Sequence, residues 1–245
     1  MMHAEQGIEQ AGCDDGSFLL VDKPVDWTSF DVVAKVRNTY RKSGLKRKVG
    51  HCGTLDPKAS GLLILATGRK TREISGLEVL DKVYEGSIRL GAETESHDTE
   101  TSEYGHCDTG HLTALQIQQV AASFVGPSLQ QPPMHSAVWH NGRRLYEFAR
   151  KGQVVRERKA REIMVHRFEI TAVELPHVSF VLEVSKGAYI RVIAHEFGRA
   201  LGVGGYLASL RRTAIGPYEV SASRSVHETV AAILSECSLS ADQRS

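Results

Sequence analysis

The stretch Gly50-His51-Cys52-Gly53-Thr54-Leu55-Asp56-Pro57 continues through Lys58-Ala59-Ser60 into Gly61-Leu62-Leu63-Ile64-Leu65-Ala66, and it decides how the chain is read. The closing run is continuously apolar and of strand length, which predicts a buried strand. The opening part predicts a tight loop, because two glycines let the backbone turn sharply and approach a ligand. Pro57 biases the residue before it away from helical geometry. Asp56 is therefore held extended at the end of a loop with a rigid strand behind it. A carboxylate placed this way is suited to act on a substrate. By spacing alone it also reads as an ordinary turn aspartate, which is the commoner case.

Outward from that stretch the chain alternates strands and helices without a regular βαβ rhythm. Residues 17–21 predict a short strand, ended by Asp22-Lys23-Pro24. Thr28 or Ser29 caps a helix to about Tyr40, with Val32, Val33 and Val36 on one face. Residues 71–80 predict a short helix, 83–90 an alternating strand, 91–111 an acidic loop rich in Ser and Thr, and 113–124 an amphipathic helix. Pro132-Pro133 breaks the chain. A strand over 136–140, the turn signal Asn141-Gly142 and a short helix over 145–151 follow. Residues 163–175 and 179–184 predict strands, 189–201 a helix, 206–213 and 218–220 extended chain, and 225–236 a last helix. This order predicts an α+β protein on a mixed, largely antiparallel sheet flanked by helices and loops. One domain over 17–236 is the simplest organisation, between a polar, disordered leader (1–16) and a polar tail (237–245).

Composition narrows the class. The chain has 245 residues, enough for one sizeable core. No apolar run approaches the roughly 20 residues of a membrane helix, and the opening residues lack a signal pattern, so a cytoplasmic protein away from membranes is expected. Cys13, Cys52, Cys107 and Cys237 are scattered, which suggests neither a disulfide framework nor a zinc knuckle. Cys107 lies near His106, Asp108 and His111, but the spacing fits no standard zinc pattern. The formal net charge is only +1, yet the charges are unevenly spread. From His140 to Arg161 there are eight basic residues (Arg143, Arg144, Arg150, Lys151, Arg156, Arg158, Lys159, Arg161) against Glu147 and Glu157. Arg41, Lys42, Lys46, Arg47 and Lys48 form a second cluster, and 78–108 is acidic in compensation. Such asymmetry suits either a solvated surface or a basic face that follows a phosphate backbone.

Five segments, in order, resemble TruB-type pseudouridine synthases. GHCGTLDPKASGLL (50–63) resembles the catalytic motif and LLVDKPVDWTSFDVV (19–33) the opening Lys-Pro motif. KVYEGSIRLGAETESHD (82–98) resembles the segment with the active-site tyrosine, and PPMHSAVWHNGRRLYEFARKG (132–152) the segment before the central strands. KGAYIRVIAHEFGRALGVGGYLASLRRTAIG (186–216) resembles the third motif. Together they span about Gly16 to Val226.

The resemblance implies an isomerase that converts uridine 55 of the tRNA T-loop to pseudouridine without cofactor or metal. It implies Asp56 as nucleophile and Arg191 as the arginine that keeps it ionised and oriented. Tyr84 matches the tyrosine that stacks on the flipped base. Tyr189 and Leu210 match pocket-lining residues, and His51 matches a histidine that packs against the RNA loop. Lys23 and Pro24 are given a supporting role, and Asp98 matches an acidic residue in a nearby loop. Arg143, Arg144, Arg156, Arg158, Lys159, Arg211 and Arg212 are the expected backbone contacts of the tRNA T-arm. Many bacterial members carry a C-terminal PUA domain, for which no segment is expected here. Cys52, His135 and Trp139 depart from the more usual residues at their positions. Two other functions compete: an RNA-binding, tRNA-folding protein with catalysis secondary, and a subunit dependent on a guide RNA. The intact Asp56, Tyr84 and Arg191 favour the enzyme, and the absent PUA-like segment disfavours the guide. A monomer needing no guide RNA is expected.

Overall fold

A computed structural model describes residues 16–242. The expected leader falls, except for Gly16, outside the described residues. Contacts divide the chain into two compact units inside the span read as one domain: one takes the residues up to Leu80 and from Arg211 onward, the other Asp81–Leu210. The strand Gly205–Ile215 contributes its earlier residues to the second unit and its later ones to the first.

In the first unit, Ala59–Thr67 is the central strand. It pairs antiparallel with Phe18–Lys23, Val21 facing Leu63, and with Val49–Cys52, Cys52 facing Ile64. Phe18–Lys23 in turn runs parallel to Arg224–Ser225. The apolar run is explained by what covers it. Leu63 and Leu65 pack with Val32, Val33, Val36 and Tyr40 of the helix Ser29–Lys42 and with Val226 and Ile233 of the helix Val226–Asp242. Leu62 and Ile64 point the other way, into a cluster with Cys52 and Ile215. Neighbouring strand residues face opposite sides, so a strand covered on both faces shows no alternation. The last helix runs beyond Glu236 into the expected polar tail.

The long strands of the second unit pair antiparallel, and a single parallel bridge joins Asp98 to Leu207. Lys82–Leu90 pairs with His177–Val184, that strand with Arg161–Glu174, and Arg161–Glu174 with Gly126–Gln130. A cluster of Phe124, Phe168, Phe180 and Phe197 fastens the helix Ile190–Ala200 to these strands, with Phe168 and Phe197 centroids 5.2 Å apart. That helix also packs tightly through Gly198, where a Cβ would lie 2.3 Å from the backbone of Gly204 and Gly205. The Asn141-Gly142 turn forms as expected, both residues at positive φ, joining Trp139–His140 to Arg143–Arg144.

The α+β reading with a mixed, largely antiparallel sheet is what the molecule shows. Local details differ. The strand Gly126–Gln130 was not anticipated, because it carries Pro127 and is mostly exposed. Proline is tolerated at a sheet edge, where a missing donor costs no ladder bond. The loop 91–111 contains the short paired strands Glu93–Thr94 and Glu103–Tyr104. The helix expected over 71–80 begins as a 3-10 turn, Gly68–Glu73, and becomes α-helical at Ile74–Glu78. Among the described residues, no helix is long and apolar enough to cross a membrane.

Candidate active site

The expected site residues fall in both units. Asp56, His51, Lys23, Pro24, Arg211 and Arg212 belong to the first, whereas Tyr84, Asp98, Tyr189, Arg191, Leu210 and the basic segment belong to the second. Each group is built from its own unit's elements.

Asp56 sits between the strands Val49–Cys52 and Ala59–Thr67, in a loop whose backbone is fastened at every residue from Gly53 to Pro57. Gly53 turns the chain at φ 80°. Its carbonyl accepts from Arg212 Nη2 at 3.1 Å, and that of Thr54 from Arg212 Nη1 at 3.5 Å. Leu55 is held from both sides by Ser29: its N–H donates to Ser29 Oγ at 2.8 Å, and Ser29 Oγ donates to its carbonyl at 3.1 Å. The Asp56 carbonyl accepts from the Ala59 N–H, and the Pro57 carbonyl from the Asp26 N–H and from Lys23 Nζ. Carbonyls satisfied one by one restrain the loop's backbone. The sequence offered Thr28 or Ser29 as the helix cap. Thr28 takes the cap with Asp31, which frees Ser29 to hold the loop.

Two cations lie under this loop. Lys23 is fully buried, its ammonium donating to the carbonyls of Trp27 at 2.7 Å and Pro24 at 2.8 Å. Burial lowers its pKa to about 8; the Asp56 carboxylate opposes that shift and the Arg212 guanidinium adds to it. Arg212 is 1% exposed. It was expected among the phosphate contacts, but its guanidinium is spent on protein carbonyls and has no surface to offer. Arg211, its neighbour, makes a two-toothed pair with Asp22, at 3.1 and 2.7 Å. His51 is half-buried, and burial first, then Arg212, lowers its pKa.

In the second unit Arg191 occupies the first turn of Ile190–Ala200 and is buried. It donates to the carbonyls of Ser96 at 3.0 Å and His135 at 2.9 Å, and pairs with Asp98 at 3.6 Å. Asp98 is buried too, in a loop knit by Thr94 Oγ1 and Ser96 Oγ donating to its carbonyl and by the Glu100 N–H donating to its carboxylate. Tyr189, which precedes the helix, exchanges two hydrogen bonds with the side chain of Gln130. Tyr84 is buried in Lys82–Leu90, opposite Leu182. Leu210 is half-buried in Gly205–Ile215.

The sequence reading missed the histidines beside this ion pair. His195 lies one helical turn after Arg191 and stacks on His97, the neighbour of Asp98, with ring centroids 3.9 Å apart and planes 3° from parallel. Among the described residues neither buried Nδ1 has a hydrogen-bond partner, although His195 Nδ1 lies 3.7 Å from Glu93 Oε1. Burial is the main cause that lowers the His97 pKa, to about 3, and the charges of His195, Arg191, His135 and Arg158 push the same way. His195 is also lowered by burial and by Arg199, with Glu93 opposing. The sign of the consequence is fixed. The unfolded chain takes up a proton at His97 near pH 6.5 and the folded chain does not, so acid favours unfolding. Stability is expected to fall as pH drops below about 6.5, by at most about 1.4 kcal/mol per pH unit for this group. Urea unfolding at pH 7.5 and pH 5 should show the loss in the wild type and a shallower one in His97→Asn. Equal slopes would assign the acid lability to other groups.

The basic segment interleaves cations with rings. Arg144 lies 4.3 Å from the centroid of Trp139, which is 61% exposed, and Arg150 lies 5.3 Å from that of Tyr146. Arg143, Arg156 and Lys159 are exposed. Arg158 is tied to the side chain of Gln131. Among the described residues, no cluster of His, Cys, Asp and Glu is arranged to hold a metal ion.

The family described as TruB family pseudouridylate synthase (N terminal domain) matches residues 41–190. The chain is 71% identical over 229 residues to tRNA pseudouridine synthase B of Chlorobium chlorochromatii (strain CaD3), a match covering 94% of this chain and 90% of that one. It is 64% identical to the protein of the same name from Chlorobaculum tepidum (strain ATCC 49652 / DSM 12025 / NBRC 103806 / TLS), covering 92% and 94%. Among solved structures, a chain of a Cbf5-Nop10-Gar1 complex superposes with a TM-score of 0.68 at 31% identity, over 89% of this chain and 54% of that one. A chain of an H/ACA RNP bound to a substrate RNA containing 2'-deoxyuridine superposes at 0.65 and 28%, over 89% and 53%. The present chain thus spans about half the length of these solved chains. By the extent and identity of these matches, the chain belongs to the TruB family of pseudouridylate synthases.

Proposed function

We propose that the chain isomerises uridine 55 in the T-loop of tRNA to pseudouridine, with Asp56 as nucleophile. The observation that carries this reading is the 71% identity, over 94% of the chain, to a tRNA pseudouridine synthase B. The fastened loop around Asp56 supports it, because a nucleophile must be presented in one geometry to gain from proximity.

The reaction conserves atoms and electrons. The C1′–N1 bond breaks, the uracil turns, and C5 bonds to C1′; the C5 hydrogen leaves to solvent and N1 takes up a proton. A carboxylate suits it, being able to bond covalently and leave again. The target uridine is flipped out of the loop at a cost of a few kcal/mol, and Tyr84 gives the base an aromatic face. Tyr189, Leu210 and Arg191 complete the residues assigned to the base and the nucleophile. His51 packs on the RNA. Arg143, Arg144, Arg156, Arg158, Lys159 and Arg211 follow the T-arm phosphates, with Trp139 and Tyr146 offering stacking surfaces among them. On this reading the enzyme acts in the cytoplasm as a monomer and takes its sequence information from tRNA itself, without a guide RNA.

The test is direct. Purified protein and tRNA carrying C5-tritiated uridine should release tritium without any added RNA or protein. Release from no tRNA, with binding retained, would favour an RNA-folding role instead.

A further inference from the structure

We infer that Arg212 is a positioning residue for the reaction: its buried guanidinium clamps both ends of the Asp56 loop and fixes where the carboxylate stands. The inference rests on the reading of Asp56 given above and extends it to a residue whose charge otherwise reads as an RNA contact.

The geometry is specific to arginine. Nε donates to the Leu62 carbonyl at 2.8 Å, in the strand that leaves the loop. Nη2 and Nη1 reach the Gly53 and Thr54 carbonyls on the side that enters it. One planar group thus spans the two arms of the loop, with Asp56 between them in sequence. A planar fork of donors holds such an arrangement, whereas an ammonium is a point charge. Close approach is built in from the other side as well. Gly61 has φ 102°, and a Cβ there would lie 2.3 Å from the Arg212 carbonyl oxygen. The strand carrying Arg212 therefore runs against the loop's exit strand at a distance that only glycine permits. Ser29 and Lys23 fasten Leu55 and Pro57, and Arg212 donates to the Gly53 and Thr54 carbonyls.

A burial this complete also excludes the other role of an arginine in an RNA-binding protein. A phosphate contact needs an exposed guanidinium, and loss of one weakens binding and reduces its salt dependence. A clamp predicts the opposite pattern: binding retained and chemistry slowed, since an ångström of misplacement at a reacting group costs on the order of 10²-fold.

Arg212→Lys and Arg212→Ala separate these cases, the lysine variant serving if the alanine variant fails to fold. Single-turnover rate constants at saturating enzyme, tRNA dissociation constants and hydrogen exchange of the peptide containing Gly53–Pro57 are measured beside wild type. The expected result for Arg212→Lys is a rate constant lowered by about 10²-fold, tRNA affinity within threefold of wild type, and faster exchange confined to the loop peptide. A wild-type rate constant would overturn the inference, and so would a loss of tRNA affinity with the rate constant unchanged. Exchange is read whether or not tRNA is turned over. A wild-type protein that is silent on tRNA would thus sink the functional reading, while unchanged loop exchange in Arg212→Lys would sink the clamp.

Discussion

Asp56→Asn is expected to abolish tritium release from tRNA, lowering the rate by about 10⁴-fold or more, while tRNA binding stays close to wild type. The two side chains are nearly isosteric, and the loop is held through its backbone: Arg212 on Gly53 and Thr54, Ser29 on Leu55, Ala59 on Asp56 and Lys23 on Pro57. These bonds hold the loop through its backbone, so the amide should find the same loop. What it cannot do is ionise, attack and leave. The variant should therefore separate chemistry from binding cleanly, in the same tritium assay combined with filter binding. Wild-type turnover in Asp56→Asn would remove this residue from the chemistry.

Arg191→Met is expected to cost about 3–5 kcal/mol of stability as well as activity. The substitution keeps much of the buried volume but removes the donors to the Ser96 and His135 carbonyls and the partner of Asp98. A carboxylate left buried without its cation is what makes breaking such a pair more costly than never having built it. The cost should be shared between the two charges. Arg191→Met with Asp98→Asn should be more stable than Arg191→Met alone by at least about 1 kcal/mol, a coupling that a double-mutant cycle in urea isolates. Additive losses would mean that Asp98 does not depend on Arg191. The stacked His97 and His195 adjoin the same pair on the loop and on the helix, so disturbance there should also reach the packing of those rings.

Much of this was legible in the residues, for reasons that differ from place to place. Gly61 to Ala66 reads as a buried strand because a strand covered by helices on one face and a second apolar cluster on the other needs no polar residue. Asn141-Gly142 reads as a hairpin turn because both positions need positive φ. The strand Gly126–Gln130 was hidden because an exposed edge imposes no apolar pattern and allows Pro127. Ser29 could be assigned only as a possible cap, since its real partner, Leu55, comes from a distant part of the chain. The stack of His97 on His195 likewise depends on tertiary placement. Arg211 and Arg212 are the instructive pair. Composition makes them one basic patch, whereas adjacent residues of a strand face opposite sides. One meets Asp22 at the surface and the other is sealed inside. That alternation was available in the sequence once 206–213 was read as extended.

On the proposed function, this chain is expected to make pseudouridine at one position of tRNA by itself. Chemical mapping of pseudouridine, by carbodiimide modification and primer extension on an unmodified tRNA transcript treated with the purified protein, tests it most directly. The predicted result is a single new stop reporting uridine 55, absent with Asp56→Asn and absent from a transcript carrying cytidine at that position. No stop at uridine 55 with the wild-type protein, or an equal stop with Asp56→Asn, would contradict the account.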